Sequence, residues 1–238
     1  MTGSIPAGQP GLASSDAARA GPYWDGVYQR RGATGVSWFQ GEARTSVDLV
    51  RALGITLSTP VIDAGAGASP LTGHLAAAGF TDLTAVDISA EALAAARQRL
   101  AGYPPASRIR WIHADLLTWA PARRYGLWHD RAVFHFLTKP ADRTAYLATL
   151  RAALQPGGGV IIATFGPDGP GHCSGLPVAR YSARGLAETL GPSFSVTSER
   201  SEQHITPDGT VQPFTWITAT LSRRGQGASA SGANRSMR

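Results

Sequence analysis

The chain has 238 residues, 43% of them hydrophobic, and carries a net charge of +6 with a single cysteine. That length and apolar fraction suit one domain with a sizeable core and exclude a disordered chain, while no apolar run approaches the roughly 20 residues of a membrane span. Four of the positive charges (Arg223, Arg224, Arg235, Arg238) crowd the acid-free end and Lys139 is the only lysine, so the charge reads as compositional bias and excludes a specific nucleic-acid partner; Cys173 alone excludes an internal disulfide and a multi-cysteine zinc site.

Residues 1–20 are small and polar and predict a disordered tail, without the charged start or apolar stretch of a secretory signal. A cytoplasmic protein is the expectation. Residues 21–222 read as one domain. Residues 22–40 hold the aromatics Tyr23, Trp24, Tyr28, Trp38 and Phe39, and 44–54 a helix. A buried strand over 59–64 runs into a glycine-rich turn, followed by a helix over 71–78, a strand over 83–87 and a helix over 90–100 with Ser89 as N-cap. Strands follow at 109–113 and 125–130, and the fourth reads on from Trp128 through Leu137. A helix over 143–154 is ended by Pro156 and glycines 157–159, and a fifth strand covers 160–165. Strands alternating with helices imply right-handed crossovers and a parallel sheet. The last two strand-like runs, 194–205 and 211–221, are joined by Thr-Pro-Asp-Gly-Thr, which is turn chemistry for a hairpin. The fold class is therefore α/β, a doubly wound and mostly parallel seven-stranded sheet with a C-terminal antiparallel hairpin. Residues 223–238 predict a disordered basic tail.

The central motif is Asp63-Ala64-Gly65-Ala66-Gly67-Ala68-Ser69-Pro70. Glycines at a strand-to-helix turn let the backbone approach a ligand without a Cβ clash. Two features turn the motif away from a dinucleotide. Pro70 stands where the dinucleotide fingerprint packs a third small residue, and the Asp63 carboxylate would repel a pyrophosphate. The second motif is Val86-Asp87-Ile88-Ser89, an acid at a strand end that can accept both ribose hydroxyls of an adenosine. The third is His113-Ala114-Asp115-Leu116, where a carboxylate can accept from the adenine amino group with Leu116 beside the ring. Three acids at three successive strand ends lie where open α/β sheets bind ligands.

With these residues the sequence resembles the class I methyltransferases that use S-adenosylmethionine (SAM), over roughly residues 22–221. The resemblance rests on the Asp63-Gly65-Gly67 loop, Asp87, Asp115, the Pro156-Gly157-Gly158 turn and the terminal hairpin. It implies SAM as cofactor, with the loop under its methionine part, Asp87, Ile88 and Ser89 at the ribose, and Asp115 and Leu116 at adenine. Gly126 departs from the family, which often has an acid early in strand four. The segment Tyr23 to Tyr28 with Ser37-Trp38-Phe39, and the loop Gly65 to Leu71, resemble the lid and loop of a methyltransferase-like subgroup that includes eukaryotic protein-lysine methyltransferases. Such a lid would place Trp24, Tyr28 and Trp38 by the sulfonium for cation–π attraction.

The run Asp130-Arg131-Ala132 is similar to small-molecule sulfur and halide methyltransferases of the thiopurine type, with Gly169-Pro170. On that basis Asp130 and Arg131 hold the methionine carboxylate or the acceptor, or else form a structural salt bridge with each other, and His135 is either a general base or a hydrogen-bonded core residue. The breaker-rich loop 166–177 offers His172 and Cys173, with Arg180, Tyr181 and His204 nearby, and no metal-ligand spacing. Three functional readings follow. The first is a small molecule with a soft nucleophile such as sulfur, and the second is a protein lysine. The third lies outside methyl transfer: an NAD-dependent oxidoreductase or a non-catalytic nucleotide-binding module.

Overall fold

A computed structural model describes residues 20–222; the two predicted disordered tails, 1–20 and 223–238, lie outside the described residues except for Ala20. The elements in chain order are α1 (Gly21–Arg31), α2 (Arg44–Ala52), β1 (Val61–Ala64), α3 (Leu71–Ala77), β2 (Leu83–Asp87), α4 (Ala90–Arg99), β3 (Ile109–His113), β4 (Tyr125–Arg131), α5 (Pro140–Ala153), β5 (Leu154–Phe165), the two-residue strands β6 (His172–Cys173) and β7 (Leu176–Pro177), α6 (Ala183–Leu190), β8 (Phe194–Ile205) and β9 (Val211–Leu221). No helix among the described residues is long and apolar enough to cross a membrane.

Seven strands form one sheet in the order β3-β2-β1-β4-β5-β9-β8. The first five are parallel, and the hairpin β8–β9 adds through β9, antiparallel to β5. This is the predicted fold. Its strand order reverses between β1 and β4, at the centre of the sheet, which is where ligands bind beyond the strand ends.

β1 and β2 are buried throughout, as strands covered on both faces must be. Alternate residues feed two separate cores. Val61, Ala85, Leu127, Ile161, Ala163, Phe165, Phe214 and Trp216 pack with Trp24, Tyr28, Val50 and Leu75 from α1, α2 and α3. Ile62, Val86, Trp128, Val160, Ile162 and Ile217 pack on the other face with Tyr146, Leu150 and Leu186 from α5 and α6. This two-sided pleat later separates residues that are adjacent in sequence.

Three local expectations change. Helix α5 starts at Pro140 rather than 143, because proline fits a first helical turn, whose N–H has no partner to lose. It ends at Ala153, and Pro156 to Gly158 lie inside β5: Tyr125 pairs with Leu154 and Leu127 with Gly159, so these residues bulge from the ladder instead of forming a turn ahead of it. The apolar run after Arg131 does not extend β4; Phe134–Phe136 is a 3-10 turn. Helix α6 was not predicted. Its signals are local: the Ser182 hydroxyl accepts from Gly185 N at 3.1 Å, and Leu186 and Leu190 share one buried face.

Candidate functional site

The turn after β1 is made by two glycines in the left-handed region, Gly65 at φ +70° and Gly67 at φ +54°. A Cβ on Gly65 would stand 1.9 Å from Val133 Cγ2, and one on Gly67 2.6 Å from the Tyr28 hydroxyl. The loop is thus enclosed by the segment after β4 on one side and α1 on the other. Ala132, at φ +70°, is a non-glycine residue in the same region of backbone space, and its N–H donates to Ala163 O at 2.9 Å. Such strain persists where surroundings over-determine it, and here it stands at the end of the central strand.

A cavity opens over this loop. Its lining includes Asp63, Gly65 to Pro70, Asp87, Ile88, and Ala114 to Leu117. The strand-end acids Asp63, Asp87 and Asp115 are therefore brought together, as their positions predicted. Asp87 Oδ2 accepts from Gly67 N and Oδ1 from Ser89 N, both at 2.7 Å, which fixes the carboxylate. Burial pushes its pKa up to about 6, against the pull of those two N–H donors. Asp115 Oδ1 accepts from Leu117 N at 2.9 Å. Ser89 does not line the cavity. Its hydroxyl caps α4 by accepting from Ala92 N at 3.1 Å and donates to Asp25 at 2.7 Å, tying α1 to α4.

The aromatic segment lies along the cavity. Trp24, Tyr28 and Trp38 all line it, joined by Phe39 and Phe136. Trp24 meets Trp38 and Phe136 edge to face, at 5.8 Å and 4.9 Å between centroids. The Tyr28 hydroxyl accepts from Trp38 Nε1 at 3.2 Å and from Ala68 N at 3.3 Å, locking the lid to the glycine loop. Tyr23 donates to Ser174 O, joining α1 to the β6–β7 turn.

The strand-four cluster divides. Asp130 points to the α5 face and does not line the cavity. It is fully buried, takes the Tyr146 hydroxyl on Oδ2, and accepts from Val133 N at 3.0 Å. Trp128 Nε1 in turn donates to Tyr146 at 2.9 Å. Burial raises the Asp130 carboxyl to about 6. These partners make it the anchor of the segment 131–134 rather than a group facing a ligand, which departs from its expected place in the site. Tyr146→Phe removes one donor from this buried carboxyl, and we expect a stability loss of about 2 kcal/mol, read from the urea unfolding midpoint. A loss under about 0.5 kcal/mol would mean that the bond contributes nothing net.

Arg131, one residue on, faces the lid and lines the cavity. No Asp130–Arg131 ion pair forms among the described residues. Arg131 Nη1 donates to Trp38 O at 3.0 Å, and the guanidinium lies 4.6 Å from the centre of the Phe214 ring. Burial lowers its pKa to about 10, so it stays charged at neutral pH.

His135 is fully buried and outside the cavity lining. Burial, with the nearby Arg131 charge, drives its pKa down to about 3, so it holds almost no proton affinity at neutral pH. Its Nδ1 accepts from Phe165 N at 3.4 Å. Of its two predicted readings, the geometry matches the hydrogen-bonded core residue. His172 is exposed, and Cys173 is buried with its thiol pushed up to about 11 by burial. His204 Nε2 meets Ser37 O at 2.7 Å and so holds the lid segment.

Sequence reasoning missed His129 and Ser46. His129 Nδ1 lies 2.8 Å from Asp63 Oδ1 and Nε2 lies 3.0 Å from Ser46 Oγ, a buried chain from β1 through β4 to α2 that lines the cavity. Asp63 Oδ2 is left buried without a partner among the described residues. The signal for His129 was its parity with Arg131 on β4, which places both on one face; Ser46 gave none.

Comparison with known proteins agrees with this geometry. Residues 61–158 match a family model described as a methyltransferase domain. An O-methyltransferase of Penicillium expansum is 31% identical over 56% of the chain and 49% of its own length. A trans-aconitate 2-methyltransferase of an Azoarcus strain is 33% identical over 48% of the chain and 42% of its own length. The chain thus spans about half the length of the curated relatives it matches. Among solved structures, a magnesium protoporphyrin IX methyltransferase of Synechocystis superposes with a TM-score of 0.67 at 17% identity, over 88% of this chain and all of that one. A 1,6-didemethyltoxoflavin N1-methyltransferase of Burkholderia thailandensis gives 0.62 at 24%, over 91% and 94%. Both similarities are of fold.

Proposed function

We propose that the chain is a class I SAM-dependent methyltransferase that moves the methyl group of SAM to a small-molecule acceptor held under the aromatic segment, a reading supported by the match of residues 61–158 to a methyltransferase domain. One observation carries the reading: a single cavity runs from the three strand-end acids, across the glycine loop, to Trp38, Phe136 and Arg131. SAM supplies a methyl already made electrophilic by its sulfonium charge.

The residues present fit that cofactor. The buried, unpartnered Asp63 Oδ2 offers an acceptor to a group bearing N–H, and Asp63 raises the pKa of Asp87 by repulsion. Two carboxylates facing one cavity suit a cationic ligand and oppose a pyrophosphate. In this reading Gly65 to Ser69 lie against the methionine part, Asp87 accepts the ribose hydroxyls, and Ile88, Asp115, Leu116 and Leu117 surround adenine. Tyr28, Trp24 and Trp38 exclude water and can offer a ring face to the sulfonium end. The acceptor lies between Trp38, Phe39 and Phe136. The chain's main contribution is positioning, since in-line transfer needs proximity and alignment first. Relatives named for trans-aconitate and for 1,6-didemethyltoxoflavin support a small acceptor.

The test is calorimetric titration with SAM and, separately, with NAD. Saturable SAM binding without NAD binding is expected; NAD binding alone would sink the proposal. The same titration carries a pH prediction. The Asp87 carboxylate protonates near pH 6, and the neutral acid is the poorer ribose acceptor. SAM affinity should therefore hold above neutrality and fall by about tenfold at pH 5. An unchanged affinity at pH 5 would remove Asp87 from the ribose site. Stability moves the other way: a raised carboxyl pKa favours the protonated native state, so Asp87 costs stability as pH rises through that window.

A further inference from the structure

We propose that Arg131 recognises a carboxylate on the acceptor, so that the acceptors of this protein are small organic acids. The proposal rests on the methyl-transfer reading and names its substrate class.

Three observations place the group. First, Nε and Nη2 of Arg131 are buried with no hydrogen-bond partner among the described residues, while Nη1 is held by Trp38 O. Nε and Nη2 share one edge of the guanidinium, the edge that binds a carboxylate through two parallel bonds. A neutral amide or hydroxyl cannot fill both with charge-assisted acceptors. Second, no carboxylate among the described residues fills that edge. The nearby Glu202 is committed elsewhere: its Oε2 accepts from Trp216 Nε1 at 2.8 Å, and its Oε1 from Thr45 Oγ1 at 3.0 Å and Gln40 Nε2 at 3.5 Å. Asp130, the acid next in sequence, is on the opposite face of the sheet with its own donors. A permanent charge buried with an empty fork is the arrangement expected where a ligand brings the counter-charge.

Third, the guanidinium sits on the side of the cavity away from the cofactor acids. Asp63, Asp87 and Asp115 follow β1, β2 and β3, whereas Arg131 reaches over Phe214 of β9, two places from β4 in the opposite direction. The contact with the Phe214 ring and the bond to Trp38 O hold the guanidinium in place before a ligand arrives. A carboxylate there would be tethered beneath Trp38 and Phe136, leaving the remainder of the acceptor to extend toward the glycine loop.

The test uses the full chain, with benzoate and benzamide as matched planar probes, titrated with and without S-adenosylhomocysteine. Benzoate should bind at least tenfold tighter than benzamide. Arg131→Met should abolish that preference, and Arg131→Lys, which keeps the charge but loses the fork, should leave only part of it. Equal binding of the two probes to the natural chain, or a preference that survives in Arg131→Met, overturns the proposal. If Arg131→Met weakens S-adenosylhomocysteine but spares 5′-methylthioadenosine, which lacks the carboxylate, the arginine serves the cofactor and the proposal also falls. Should Arg131→Met fail to fold, the probe pair on the natural chain and on Arg131→Lys decides the matter. Absence of S-adenosylhomocysteine binding in the natural chain sinks the methyl-transfer reading alone, because the benzoate preference is measured independently of it.

Discussion

Asp87→Ala should lower SAM affinity by about a hundredfold or more. The carboxylate has two roles that a methyl group cannot fill. It accepts from Gly67 N and Ser89 N, which sets the glycine loop against the start of α4. Each oxygen also keeps a second lone pair that can accept a ribose hydroxyl. Hydrogen bonds to a charged acceptor are worth roughly 1.5–3 kcal/mol each, so losing two at the ribose corresponds to at least about a hundredfold. The variant also leaves Gly67 N buried without its acceptor, at a stability cost of about 1–3 kcal/mol. Asp87→Asn keeps one acceptor oxygen and should fall between. Calorimetry on all three chains checks the order; an Asp87→Ala protein that binds SAM within threefold of the natural chain would place the ribose elsewhere.

Gly65→Ala is expected to cost about 2–5 kcal/mol in stability and to abolish ligand binding. The conformational part, an L-residue forced to φ +70°, is about 1–2 kcal/mol. The rest is steric: the new methyl would stand 1.9 Å from Val133 Cγ2. Val133 cannot retreat easily, because its N–H is held by Asp130 and the preceding Ala132 is itself at φ +70°. Overpacking of this kind costs about 1–3 kcal/mol. Two further variants separate the parts. Gly65→Ala with Val133→Ala should recover the steric share. Gly209→Ala, at φ +83° in open space, should show only the conformational share. Urea unfolding midpoints read all three, and equal losses for Gly65→Ala and Gly209→Ala would show that Val133 yields freely.

The strand-end acids were legible because their meaning depends on sequence position alone: an acid just after a buried apolar strand lies at the ligand-binding rim of a parallel sheet. Asp63, Asp87 and Asp115 do line one cavity. Ser89 was legible as an N-cap for the same local reason, and that role occupies its hydroxyl. The aromatic lid was legible as a cluster, though the helix carrying Trp24 and Tyr28 was not drawn from the sequence. The helix α6 was overlooked although Ser182, Leu186 and Leu190 signalled it.

What the sequence by itself determined was the alternation of strands and helices, the glycine turn that demands left-handed backbone, and the rim position of three carboxylates, since each follows from periodicity or from a residue's own conformational freedom. Only the tertiary structure decided what the adjacent residues of β4 do. Asp130 and Arg131 look like a ready ion pair in the sequence, but the pleat sends them to opposite faces, one to Tyr146 and one under the lid. Likewise the chain Asp63–His129–Ser46 joins residues 66 and 83 positions apart, and the empty edge of Arg131 exists only because Glu202, distant in sequence, bonds Trp216 instead. Burial, pairing and the lack of a partner depend on which strands become neighbours, and no local pattern carries that information.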